Sequence, residues 1–231
     1  MSRKIIKVIA IILFLGGSIS LLYPRVTRWF SQREMNATIA EFEDKKETEG
    51  NYDELYKALQ EYNRNLYETG QKNLTDPFAY EEAGFNLKAH GFEEDIIGYL
   101  DIPQMKVKMP VYLGASDTNL EKGGAIMTQT SIPIGGENTN AVIAAHRGWV
   151  EARMFQDIDK MAQGDFFTLT NFRETLTYQV IESKIIDPSA VDEVLIRPGK
   201  DIITLLTCHP YGRNHQRYVV YCERVAKTQD D

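Results

Sequence analysis

Hydrophobic and polar positions change rhythm three times along this chain. From Ile5 to Tyr23, "IIKVIAIILFLGGSISLLY", apolar residues run almost unbroken, with Lys7 as the single charge. As a helix these 19 residues would rise about 28 Å, close to the roughly 30 Å hydrocarbon core of a bilayer. From Glu34 to Gln71 the texture turns polar and helical, with no proline and two glycines, Gly50 and, at the far end, Gly70. Leu55, Leu59, Tyr62 and Leu66 recur at spacings of four, three and four, which marks one apolar stripe. The pattern predicts two helices broken near "ETEGNYDE", with Asn51 or Asp53 as the N-cap of the second. "NLTDPFAYEEAGF" then interrupts the helical period at Asp76-Pro77, a turn initiator.

From about Asp95 the runs become short: "IIGYLDI", "MPVYLG", "AVIAAH", "FFTLTN", "LTYQVIESKII", "VLIRPG", "DIITLLTC" and "YVVYCERV". Gly, Pro, Asn and Asp separate most of them. Short strands at such close spacing predict a mainly β fold, a closed or nearly closed eight-stranded β-barrel with a few helical turns. "EARMFQDIDKM", residues 151–161, is the one short helix expected inside it. The chain therefore divides into an N-terminal membrane anchor (1–24), a helical preface (25–94), a barrel (95–226) and a polar tail (227–231).

Charge narrows the possible partners. The formal net charge of −7 over 231 residues argues against nucleic acid, which calls for a basic face. Eight acids against two bases crowd residues 34–54, so most of the excess lies on a solvated helix face. Arg3, Lys4 and Lys7 precede or enter the apolar stretch, with Lys7 near enough to its end to snorkel. That basic flank places the N-terminus inside and the rest of the chain outside the cell membrane. A cleaved secretory signal with "SIS" at 18–20 is the alternative, and either reading exports the protein.

Export gives the two cysteines meaning, since a pair in an oxidising compartment can form a disulfide. Their settings differ. Cys222 sits inside "YVVYCERV" as a half-buried strand residue, whereas Cys208 stands where an apolar run stops. His146 also ends such a run, and Arg217 begins one. Strand ends at one rim of a barrel bring distant residues together, and a Cys, a His and an Arg there suit acyl transfer. The thiolate would attack a carbonyl, the imidazole would handle the leaving amine's proton, and the guanidinium would stabilise negative charge. Each of the three taken alone also fits a structural or surface role. A zinc site from Cys208, His209 and His215 lacks a fourth ligand at ordinary spacing, so no metal and no cofactor is expected. His209 and His215 remain rivals of His146 as the base.

The run "TLLTCHPYGRNHQRYVVYCERV" resembles the active-site segment of sortases, with Thr-Leu-x-Thr-Cys, a Pro-Tyr-Gly turn and an Arg opening the next strand. "TSIPIGGENTNAVIAAHRG" is similar to the sortase segment ending in the catalytic histidine, and "IPQMKVKMPVYLG" and "LEKGGAIM" to earlier parts of that domain. The resemblance implies a sortase barrel in which Cys208 is the nucleophile, His146 the general acid or base and Arg217 the oxyanion and substrate stabiliser. His209 and His215 then become bystanders. It also implies cleavage of a Leu-Pro-x-Thr-Gly-type sorting signal between Thr and Gly, followed by transfer to an amine. The helical preface and "DPF" resemble class C, the pilin-polymerising sortases, in which a lid aspartate pairs with the arginine and an aromatic ring covers the cysteine. Those roles would fall to Asp76 and Phe78, joined by Pro77. The implied partners are pilin subunits bearing sorting signals and acceptor lysines, with a cell-wall precursor as the amine in the rival, housekeeping reading. A non-enzymatic assembly or adhesion module is the rival outside enzymes. Class C members usually carry a second membrane segment after the barrel, and the sequence ends at "RVAKTQDD" before such a stretch. His209, after the cysteine, departs from the small hydroxyl residue more usual there.

Overall fold

The apolar opening stretch and the first polar helix form one helix, α1 (Arg3–Glu49), which runs through Pro24. Proline has no N–H to donate, so the Ser20 carbonyl one turn back loses its helical donor, and side chains add bonds to neighbouring carbonyls. Arg25 Nη1 donates to Leu21 O and Thr27 Oγ1 to Tyr23 O, each at 3.0 Å. The first part of α1 is long and apolar enough to cross a membrane, and its most apolar window is not buried among the described residues. The later part turns Met35, Ile39 and Phe42 inward as buried residues. This computed structural model describes residues 3–49, 52–72, 74, 83–92, 94–148 and 151–225.

A second helix, α2 (Asp53–Thr69), follows the expected break. Its N-cap is Tyr52, whose side chain makes no capping hydrogen bond, in place of the expected Asp53, and Asn51 lies outside the described residues. Asp53 lies already in the first turn, where a carboxylate favours the helix dipole. Gly70 closes the helix at φ 71°, its N–H reaching the Leu66 and Tyr67 carbonyls, a conformation glycine adopts without strain. The stripe is as read: Leu55, Leu59 and Leu66 are buried and Tyr62 is half-buried. The period did not single out Asn63, which is also buried on that face. Its Nδ2 donates to Ile132 O at 2.9 Å and its Oδ1 accepts from Ile132 N at 2.8 Å, so α2 is hydrogen-bonded to the barrel as well as packed on it.

The eight strands are β1 (Ile96–Ile102), β2 (Val107–Leu113), β3 (Gly124–Ile126), β4 (Thr139–Ala144), β5 (Phe166–Asn171), β6 (Thr175–Ile186), β7 (Asp201–His209) and β8 (Gln216–Arg224). They close into a barrel in the order β1-β2-β3-β4-β7-β8-β6-β5. The fold is mainly β, as the short alternating runs predict. A Cβ on Gly98 would stand 2.1 Å from Thr170 O, so the β1–β5 contact requires glycine there. A short helix, α3 (Asp117–Lys122), joins β2 to β3, with Ser116 Oγ accepting from Asn119 N.

Two local expectations are overturned. "VLIRPG" is not a strand; it leaves a 3-10 turn (Val191–Val194), and Val194 packs against the barrel's outer face. The missing strand is β3, three residues long and too short to show a period. Residues 151–161 do not form an α-helix but turns ending in a 3-10 turn (Ile158–Lys160). Met154 sits at φ 34°, which a right-handed helix cannot accommodate, while Ala152, Met154, Phe155, Ile158 and Met161 all anchor into the core.

Side chains alternate across the barrel wall as strand geometry requires. Ile143, Leu205, Val220 and Cys222 belong to the main core, together with Leu100, Met109 and Val111. Val142, Ala144, Leu206, Val219 and Tyr221 face the other way, into a second cluster under Ala115, Leu120, Val194 and Leu74. Cys222 is therefore fully buried rather than half-buried, and burial pushes its thiol far up.

Candidate active site

Three adjacent strands carry the three residues singled out by the sequence. β4 runs parallel to β7, with Ala144 level with Leu206. Beyond the paired residues, Ala145 N donates to Leu206 O at 3.2 Å and Thr207 Oγ1 to Ala145 O at 2.6 Å. Two positions past Ala144, His146 thus reaches the level of Cys208, two past Leu206. On the other flank β8 is antiparallel to β7 and places Arg217 directly opposite Cys208. Alternation decides the face: Cys208 shares parity with Leu206 and Thr204, and Arg217 with Val219 and Tyr221. Those positions point to the outer cluster, not into the barrel. The structure thus brings His146, Cys208 and Arg217 to one rim on one face, although the first two lie 62 residues apart.

Local surroundings prepare each side chain. Cys208 is half-buried and outside any disulfide, and Cys222 lies on the interior side of the wall. Arg217 is 5% exposed, and its Nη1 donates to Asn214 O at 2.8 Å and Gln216 O at 3.2 Å. The turn between β7 and β8 thus holds the guanidinium that follows it. His146 is half-buried, and burial holds its imidazole below the ordinary 6.5, partly offset by Asp117 and Glu121 on α3. A neutral imidazole at pH 7 can accept a thiol proton. Gly148 and Gly212 approach closely, a Cβ on Gly148 falling 3.5 Å from Gly212, so the loops after His146 and Cys208 meet.

Sequence reasoning missed a second layer made by the next residue on each strand end. Arg147 is 6% exposed. Its Nη1 lies 2.9 Å from His209 Nδ1, its Nη2 lies 3.0 Å from Asp159 Oδ2, and its guanidinium sits 5.4 Å from the Tyr218 ring centre. Arginine only donates, so His209 Nδ1 accepts and the ring carries its proton on Nε2. His209, set aside as a bystander, is therefore a hydrogen-bonded neighbour of the site. The available signal was adjacency: Arg147 and His209 each follow a singled-out residue and alternate to the opposite face. Asp76, Pro77 and Phe78 lie outside the described residues. Leu74, before them, is buried in the outer cluster, and Phe85, after them, packs edge-on against Tyr62.

A family model for the sortase domain matches residues 100–225. The chain belongs to the sortase family. It is accordingly a cysteine transpeptidase. Among solved structures, sortase C1 of group B Streptococcus pilus island 1 is 30% identical with a TM-score of 0.77, covering 85% of this chain and 95% of its own. Sortase C from Clostridium perfringens is 35% identical with a TM-score of 0.70, covering 82% and 99% respectively. A curated relative, sortase A of Bacillus anthracis, is 26% identical over 221 residues, 94% of this chain and 93% of its own. Both of these solved structures are class C sortases.

Proposed function

We propose that this sortase is a pilin polymerase. It would cleave a Leu-Pro-x-Thr-Gly-type signal and join the threonine to a lysine of another pilin subunit. The observation that carries this reading is the helical preface docked on the barrel through α2. The likeness to sortase C1 covers 85% of the chain, well beyond the catalytic domain at residues 100–225, so it takes in that preface. That neighbour belongs to a pilus island.

In this reading the Cys208 thiol passes its proton to His146 as its sulfur attacks the threonine carbonyl carbon, and negative charge collects on the carbonyl oxygen beside Arg217. The C–N bond to glycine breaks as His146 delivers a proton to the leaving amine. A lysine amine then attacks the thioester, His146 takes its proton, and Cys208 leaves as thiolate. No cofactor enters the balance. α1 would anchor the enzyme with the barrel outside. Arg25, Arg28 and Arg33 match Arg3, Lys4 and Lys7 across the span, so this orientation rests on the surface reaction rather than on flank charge.

The acceptor tests the proposal. Given a sorting peptide, the full chain should transfer it to a pilin lysine donor and form isopeptide-linked ladders. Transfer to wall-precursor amines without ladders would instead favour a housekeeping enzyme, the role of the rival reading. Asp76-Pro77-Phe78 is assigned as a lid on the sequence resemblance. Asp76→Ala and Phe78→Ala should each raise hydrolysis of short sorting peptides several-fold; unchanged turnover in both would remove the lid role.

A further inference from the structure

Charge along α1 is divided sharply where it leaves the apolar stretch. Residues 25–33 contain Arg25, Arg28 and Arg33 and no acid, whereas the acidic run starts at Glu34. Trp29 and Phe30 lie in the same turns, 56% and 58% exposed and stacked edge-on at 4.9 Å, with Arg33 5.5 Å from the Trp29 ring centre. Exposed aromatic and basic side chains just past an apolar span are the residues that settle at a lipid headgroup layer.

The barrel adds to this patch from its catalytic rim. A cavity of about 250 Å³ lies between α1 and the barrel, lined by Arg28, Trp29, Gln32, Lys106, Arg153 and Met154 among others, with three cations and no acid. Lys106 directly precedes β2. β2 is parallel to β3 and β3 antiparallel to β4, with Val111 level with Gly124 and Ala125 level with Ala144. β4 therefore runs toward the end of the barrel from which β2 starts, and His146 follows β4 in that direction. Arg153 and Met154 come from the loop after His146, and Phe155 N donates to His146 O at 3.0 Å. Arg28 Nη2 donates to Gln156 Oε1 in the same loop at 3.5 Å, and Gln32 Nε2 to Lys108 O at 3.1 Å.

α1 then continues toward the opposite rim. Phe42 lines a cavity with Ile96, at the start of β1, and Phe172, just after β5. Along a helix, Arg28 stands about 7.5 Å beyond Tyr23, and Phe42 about 21 Å beyond Arg28. The helix axis thus sets the catalytic rim near the membrane surface and the opposite rim away from it.

We infer that the patch of Arg25, Arg28, Arg33, Lys106 and Arg153 with Trp29 and Phe30 docks on anionic phospholipid headgroups, seating the barrel with its Cys208 rim toward the bilayer. This rests on the proposed reading of α1 as a membrane anchor. Cations and a cavity suited to phosphate meet the lipid, while the acidic half of α1, which an anionic surface repels, points away. The consequence is a site level with the place where a sorting signal emerges from a membrane-tethered substrate.

The test uses the full chain carrying Cys208→Ala, in nanodiscs of phosphatidylcholine alone or mixed with phosphatidylglycerol. A fluorophore is placed at Glu151→Cys, beside the catalytic rim, or at Glu137→Cys, before β4 at the opposite rim, and headgroup-labelled lipid quenches it. Quenching should be strong at 151, weak at 137, greater with phosphatidylglycerol, and reduced by high salt. Each basic residue near an anionic surface changes binding about fivefold, so Lys106→Gln with Arg153→Gln should lower the docked-to-undocked ratio roughly 25-fold. Equal quenching at both positions in a chain that floats with lipid would overturn the orientation alone. Strong quenching at 151 that ignores lipid charge and the double variant would overturn the headgroup contact. A chain that does not float with lipid at all would overturn the anchor and this inference with it.

Discussion

His209 and Arg147 show how residues beside a reactive group can hold it in place. The Arg147–His209 contact crosses from the chain after β4 to the end of β7, one residue beyond His146 and Cys208. Arg147→Met keeps the bulk but removes the donors. Small displacements of reacting groups cost up to about a hundredfold, so kcat should fall on the order of tenfold or more with KM little changed. Wild-type kcat in Arg147→Met would remove the positioning role. Burial first, then the charges of Arg147 and His215, hold His209 below the ordinary 6.5, while Asp159 opposes them. Tyr218 packs beside its ring at 5.9 Å. His146 shifts in the same direction. The folded chain thus takes up these protons at lower pH than the unfolded chain does. Stability should be complete above about 6.5 and decline as pH falls toward the folded values. His209→Gln should flatten part of that decline in thermal unfolding between pH 7 and 5; an unchanged slope would contradict the assignment.

At the scale of elements, α2 is the informative case. Its apolar stripe was legible because a helix on a barrel must bury one face. Its attachment was not, because Asn63 reads as one more polar residue until Ile132 is seen opposite it. Asn63→Ala would leave a buried N–H and C=O unpaired, at about 1–3 kcal/mol each. Denaturant unfolding should show that loss, and amide exchange at Ile132 should quicken; unchanged protection there would mean that packing alone holds α2. The strands follow the same division. Long alternating runs such as β6 and β8 announced themselves, whereas β3 is fixed by its neighbours β2 and β4 rather than by any period of its own. The turns at 151–161 carry helical spacing, but Met154's left-handed backbone and the burial of Phe155 and Ile158 override it.

At the scale of the whole molecule, barrel closure is what unites residues 146, 208 and 217. The strand order β4-β7-β8 could not be read from the sequence, yet it alone sets His146 and Arg217 on either side of Cys208. What the sequence did carry was the position of each residue at the end of an apolar run, and the resemblance of those segments to sortases. The outer face they share is flanked by α3 and by the segment around Val194, which leaves the barrel interior to packing and the rim to chemistry. In the proposed mechanism Cys208 forms the acyl intermediate with His146 and Arg217 beside it. Intact-mass spectrometry of the full chain with a Leu-Pro-x-Thr-Gly peptide tests it most directly. The expected adduct equals the peptide truncated after threonine, is located on Cys208, is released by an amine, is absent in Cys208→Ala and is strongly reduced in His146→Ala and Arg217→Ala. An adduct of the same mass in Cys208→Ala, or none in the unaltered chain as it cleaves the peptide, would contradict it.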